Sequence, residues 1–401
     1  MTRRSSGFGA VAFAFLIVMA FATLPSPLYG LYRERDGLSA FTITVVYAIF
    51  AGGTIAALIA VPAIARRVGR RGVMLTAVAT MMVAAGLLAA WKDLPGLLVG
   101  RLITGVAVGL VAGTATTYLI ELYMRHDPTG SPLRPRNIGT AVNVGALGIG
   151  PLVAGCLATW VRQPLTVPYL LWIALGAVAL VGLAAAPETG TAAPSPPAEE
   201  PAPRSRRARI PVPAGTATLA AFSANGLFAG LSGLLLATTF HHPSHALAGA
   251  TLFVVFSAGV AAQLATASLR APLVLALGTI SMLLGLALLV TAVRLSSPSL
   301  ALFLVGGAFI GAGAGAVFKG TTGIVLEAAA PEDRLRMTSQ LLIALFIGLS
   351  IPVIGAGVAL DQGASAPNTV LGFAVLVGLG VAAAGWELLG RRGPKTAKQL
   401  A

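Results

Sequence analysis

A few charged and amide side chains lie inside runs that are otherwise apolar, and these are the places where the chain can do chemistry. Arg101 sits within one such run and Lys319 within another. Six helical residues at about 1.5 Å each place Arg101 roughly 9 Å from the start of its run. A charge at that depth is costly and calls for a partner. Glu34 and Asp36, at the end of the first run, are the nearest acids on the same side; the alternative is an arginine that snorkels to the interface. Lys319 precedes Glu327 by two helical turns, about 12 Å, and shares an i, i+4, i+8 row with Gly311 and Gly315. It could hold an anionic group on a ligand, titrate, pair with a carboxylate, or simply pack with its head snorkelling. Tyr47, Asn143, Asn225, Gln263 and Gln340 can hydrogen-bond a small molecule, or equally tie one helix to another. No acid lies clearly within the middle of a run, so the expected ligand is neutral or anionic and amphipathic.

Other chemistries lack their parts. His241, His242 and His245 fall together, but Pro243 breaks any helical spacing, and no metal site is expected. There is no Walker loop, metal-hydrolase helix or nucleophile elbow, so neither ATP-driven work nor an enzyme is expected, and no cofactor is implied. The single cysteine, Cys156, cannot form an internal disulfide.

The elements that must position these residues are membrane helices. The chain is 56% hydrophobic and 10% charged, with mean hydropathy +0.87, more apolar surface than a soluble core of 401 residues could bury. A net charge of +14 is therefore read against a lipid bilayer and not against nucleic acid. Runs of roughly 20 residues occur at 8–31, 40–65, 72–91, 95–121, 138–160, 166–187, 215–240, 246–268, 271–293, 298–326, 337–360 and 368–390. All are expected to be helices, because a backbone in hydrocarbon must satisfy its polar groups within its own segment.

Arginine and lysine cluster in alternate loops: Arg66, Arg67, Arg70 and Arg71, then Arg125, Arg134 and Arg136, then Arg204, Arg206, Arg207 and Arg209, with Arg391 and Arg392 after the last run. The intervening loops hold only Arg33, Arg35, Lys92, Arg162 and Arg294. The positive-inside rule then puts both termini in the cytoplasm. Arg3, Arg4 and Ala20-Phe21-Ala22 also fit a cleaved signal peptide, but the apolar run continues past Ala22 and cleavage would spoil the even number of spans.

Gly105, Gly109 and Glu121 recur as Gly311, Gly315 and Glu327, each 206 positions later. Two related apolar halves are the mark of a transporter built from internal repeats. We expect an N-terminal six-helix bundle at 1–187, a proline-rich linker at 188–213 and a C-terminal six-helix bundle at 214–401, self-sufficient as a monomer.

Four local patterns resemble the major facilitator superfamily. The loop Ile64-Ala65-Arg66-Arg67-Val68-Gly69-Arg70-Arg71 is similar to the family signature in which a glycine and a basic pair follow an aspartate, except that Arg66 stands in the aspartate's place. In the family that acid faces the positive end of helix eleven, and Glu332 and Asp333 could supply the missing charge here. Arg101 with Gly105 and Gly109 resembles the helix-four arginine motif associated with proton transfer. Gly145, Gly148, Gly150-Pro151 and Gly155 are similar to the exporters' GPxxGG motif, with Ala154 in place of one glycine and an echo at Ile351-Pro352, Gly355 and Gly357. Pro25-Ser26-Pro27-Leu28-Tyr29 should loosen the end of the first helix, with Tyr29 and Tyr32 as interfacial anchors.

The resemblance implies a twelve-helix all-α membrane protein of two pseudo-symmetric bundles, similar to the drug/proton antiporters. It implies export of a small molecule by alternating access in exchange for protons, with Glu34, Asp36 and Arg101 as proton-coupling residues. Arg66, Gly69, Arg70, Arg71 and the paired glycines would form the moving parts. The alternatives are a proton-coupled nutrient importer, or a sensor that binds without transporting.

Overall fold

The computed structural model describes residues 6–131, 133–189 and 209–390. Among them all regular structure is helical. The first half runs α1 (Ser6–Thr23), a 3-10 turn (Ser26–Leu28), α2 (Tyr29–Asp36), α3 (Ala40–Ala90), α4 (Leu94–Ala112), α5 (Ala115–His126), α6 (Leu133–Trp160) and α7 (Val167–Ala185). The second runs α8 (Val212–Thr238), α9 (His245–Ala265), α10 (Ala271–Arg294), α11 (Leu300–Ala328), α12 (Arg334–Asp361) and α13 (Ala366–Gly390). Most of the expected linker lies outside the described residues.

Eleven described helices are long and apolar enough to cross a bilayer, where twelve runs were expected. The discrepancy lies in α3, which absorbs both 40–65 and 72–91 into a single element of 51 residues. Unbroken, it would measure about 76 Å, more than twice the ~30 Å of hydrocarbon. It is broken at Gly69, whose φ of 72° and ψ of 175° are non-helical. That φ disfavours any residue with a Cβ.

Other interruptions follow the sequence locally. Pro25 and Pro27 lack the N–H donors that would continue α1, and the chain tightens there into the 3-10 turn. The expected span 95–121 is divided at Gly113 and Thr114 into α4 and α5. Ser39 begins α3 by accepting the Thr42 N–H at 3.1 Å, and Ser299 begins α11 by accepting that of Leu302 at 3.4 Å, as serine does at helix starts.

The chain forms two compact units, one of Met1–Arg206 with His242–Phe253, the other of Arg207–His241 with Val254–Ala401. His242–Phe253, at the start of α9, thus groups with the first unit. At the centre of the first unit, the stretch containing α1 and α2 is 67% buried over its most apolar window and packs on α6, α7, α4, α5 and α3. In the second unit α8 has that place, 83% buried, with α12, α13 and α11 around it. Each half thus wraps its first long helix in the rest.

Candidate functional site

The Arg101 guanidinium is wholly buried in the first unit. Its Nη1 donates to the Ala22 carbonyl at 2.6 Å and its Nη2 to that of Tyr47 at 3.3 Å. Ala22 lies in the last turn of α1, where carbonyls outnumber helical N–H donors and the helix end is negative. The Phe50 and Tyr47 rings approach the cation at 4.8 and 5.9 Å, adding cation–π attraction. Acid partners for Arg101 were expected in Glu34 or Asp36, and the structure corrects this. Asp36 pairs with Arg35 at 2.7 Å, Arg35 also lies 3.5 Å from Asp93, and Glu34 is exposed. Arg101 Nε and the hydroxyls of Tyr29, Tyr47 and Ser26 have no hydrogen-bond partner among the described residues.

Next to Arg101 on α4, Gly105 and Gly109 let the helix meet α3 backbone to backbone. A Cβ on Gly105 would collide with the Phe50 carbonyl oxygen, and one on Gly109 with that of Thr54. In the second unit Gly311 and Gly315 of α11 meet α9 in the same way, at the carbonyls of Val255 and Gly259. The glycines are related by 206 positions (105 to 311, 109 to 315) and their partners by 205 (50 to 255, 54 to 259). The repeat read in the sequence is therefore a repeated helix–helix seam.

The glycines of α6 make a third seam. Gly150 abuts the Ala20 carbonyl of α1; Gly155 abuts that of His245, and Gly249 abuts that of Pro151, so the first turns of α9 lie against α6. Thr23 adds a hydrogen bond from its hydroxyl to the Leu147 carbonyl at 2.6 Å.

Around Gly69 the structure assembles a charged cluster that the sequence had shown only in part. The Glu188 carboxylate accepts the backbone N–H groups of Arg70 at 3.0 Å and Arg71 at 3.1 Å, which are among the first donors after the break in α3. Arg70 pairs with Glu121 at 2.7 Å, and the Thr189 hydroxyl donates to the same carboxylate at 2.7 Å. Arg125 donates to the carbonyls of Glu188 and Thr189 at 2.8 and 2.9 Å, and Arg71 to that of Ala184. Arg66 is exposed. The negative group on the helix start beyond Gly69 is thus Glu188, a residue that sequence reasoning passed over. Its signal was an acid directly after the sixth run and a basic pair in the loop it returns to.

The expected cavity residues divide between the units. Tyr47 and Asn143 belong to the first; Asn225, Gln263, Lys319 and Gln340 belong to the second. Lys319 donates to the Gln263 carbonyl and to the Thr266 hydroxyl at 3.3 Å, at the C-terminal end of α9 where a cation is favoured. Gln340 accepts the Ile210 N–H at 2.8 Å, fixing the approach to α8. Asn143 Oδ1, Asn225 Oδ1 and Gln263 Nε2 have no hydrogen-bond partner among the described residues. His245 Nδ1 lies 3.2 Å from the Pro27 carbonyl, and no group of three or more metal-ligating side chains forms among the described residues.

Residues 11–270 match the family model of the Major Facilitator Superfamily. The chain belongs to the Major Facilitator Superfamily. It is accordingly a multi-pass membrane protein of a transporter family with a small-molecule substrate, rather than an enzyme. Among solved structures it is similar to the crystal structure of a point mutant of the nucleoside transporter NupG, with a TM-score of 0.66 over 98% of this chain and 100% of that one, at 11% identity. At that identity the likeness shows the fold. No curated protein matches the sequence.

Proposed function

We propose that this superfamily member is a secondary active transporter that exports a small neutral or anionic amphipathic molecule by alternating access, in exchange for protons. The observation that carries this reading is the pair of equivalent glycine seams, Gly105 and Gly109 on α3, Gly311 and Gly315 on α9. Helices in backbone contact can slide or rock without repacking large side chains, and the same device at equivalent positions of two repeats suits a two-state cycle. The glycine-rich α6 supports export through its likeness to the exporters' motif.

On this reading the two arms of α3 are separate crossings, giving twelve spans in two six-helix bundles with both termini cytoplasmic. Glu34 or Asp36 loads the proton from outside. Their influence reaches Arg101 through the chain itself, since α2 bears both acids and joins α1 just beyond the Ala22 carbonyl that Arg101 holds. Tyr47, Asn143, Asn225 and Gln263 offer hydrogen bonds to the cargo.

Oriented vesicles with an imposed pH gradient and a panel of labelled neutral and anionic amphipaths test the proposal. Cargo moving against the proton flow supports exchange. Accumulation in the direction of proton flow would show a symporting importer, and ligand binding without flux would show a sensor.

A further inference from the structure

In the second unit, a cavity of about 320 Å³ opens where α8 begins and α11 and α13 end. Its wall is apolar, formed by Ile324, Val325 and Ala328 of α11, Met337 of α12 and Leu388 of α13. Among the described residues, Arg209, just before α8, is the one charged residue lining it. Arg209 is exposed and has no ion pair or hydrogen bond among the described residues. Glu327 and Glu387 are neighbours in sequence to the lining, but they lie outside it and have interactions of their own. The start of α8, a helix of 27 residues, follows Arg209 by three positions and adds the positive end of its dipole.

We infer that this cavity holds one anionic phospholipid, with an acyl chain against the α11–α13 wall and the phosphate on Arg209. The volume is at the low end for a small-molecule site, enough for part of a chain and too little for a whole lipid, which leaves the headgroup at the guanidinium. The position suits this ligand, because it lies where the apolar helices end and the headgroup region begins. A zwitterionic lipid would bring its own cation to Arg209 and gain less. The C-terminal segment beyond α13 is a poor occupant, since Arg391, Arg392, Lys395 and Lys398 would be repelled by Arg209. The site is separate from the residues assigned to cargo and does not depend on the transported molecule.

Native mass spectrometry of the full chain in detergent, titrated with phosphatidylglycerol or phosphatidylcholine, tests the inference. One phosphatidylglycerol per chain should be retained in preference to phosphatidylcholine. Arg209→Gln should weaken it about tenfold or more, beyond the roughly fivefold that one surface arginine contributes near an anionic membrane. Ala328→Phe removes no charge and fills the wall, and it should displace the lipid as well. Replacing Arg204, Arg206 and Arg207 together by glutamine should leave the lipid in place. Equal retention of the two lipids, unchanged binding in Ala328→Phe, or loss in the triple variant would each overturn the proposal. Gel filtration of every variant separates these results from misfolding.

Discussion

Arg101 shows what a buried cation requires in an apolar bundle. Two carbonyls and two ring faces surround it, and this arrangement uses the fork and flat face that distinguish arginine from lysine. Arg101→Lys should therefore fail to rescue Arg101→Ala. Both should lose most gradient-driven flux, read in oriented vesicles, while remaining monodisperse; flux near wild type in either would remove Arg101 from the mechanism. Lys319 invites the opposite expectation. As a cation on the end of α9 it should contribute about 0.3–1 kcal/mol, so Lys319→Met should lower the melting temperature slightly and leave the transport KM unchanged. A tenfold rise in KM with no loss of stability would instead make it a cargo ligand.

At the scale of elements, the glycine seams and the Gly69 break are the features to test. Gly311→Ala drives a Cβ into the Val255 carbonyl and should cost about 1–3 kcal/mol as overpacking. Gly355→Ala meets no described residue within 4 Å and should be neutral or slightly stabilising; thermal unfolding of the two variants checks the contrast. Glu188→Ala removes the acceptor for two N–H groups beyond Gly69, a capping loss of about 1 kcal/mol. It should appear as faster hydrogen exchange at Arg70 and Arg71, with little change in α11. The sequence made the helices legible because their apolar runs are long, and it made the seams legible because glycine recurs at a fixed offset. Glu188 stayed hidden because its partners are backbone N–H groups 117 and 118 residues away, which no side-chain pattern announces. The Arg101 pairing was misjudged for a related reason: proximity to Glu34 and Asp36 along the chain suggested acids, whereas the freed end of α1 supplied neutral carbonyls.

For the whole molecule, duplication gives the most specific information. Each unit centres on its first long helix and repeats one seam at equivalent positions, so damage to either should have similar consequences. Gly105→Ala and Gly311→Ala are expected to depress transport to a similar extent in vesicles, and a variant that transports normally would show that its seam stays fixed through the cycle. The identity of the cargo was never legible, because the polar groups at hand, Asn143, Asn225 and Gln263, are amides that recognise many partners. The family match settles the class of protein and leaves cargo and direction to measurement.

The bend at Gly69 confines a change of direction to one residue of α3, and Glu188 fastens the far side of that bend to the segment following α7. With so little slack, the two arms of α3 are expected to act as a crank and not as two rods on a tether, so that tilt imposed on one should be delivered to the other. Lengthening the elbow by a few glycines would leave both arms intact and let them travel independently.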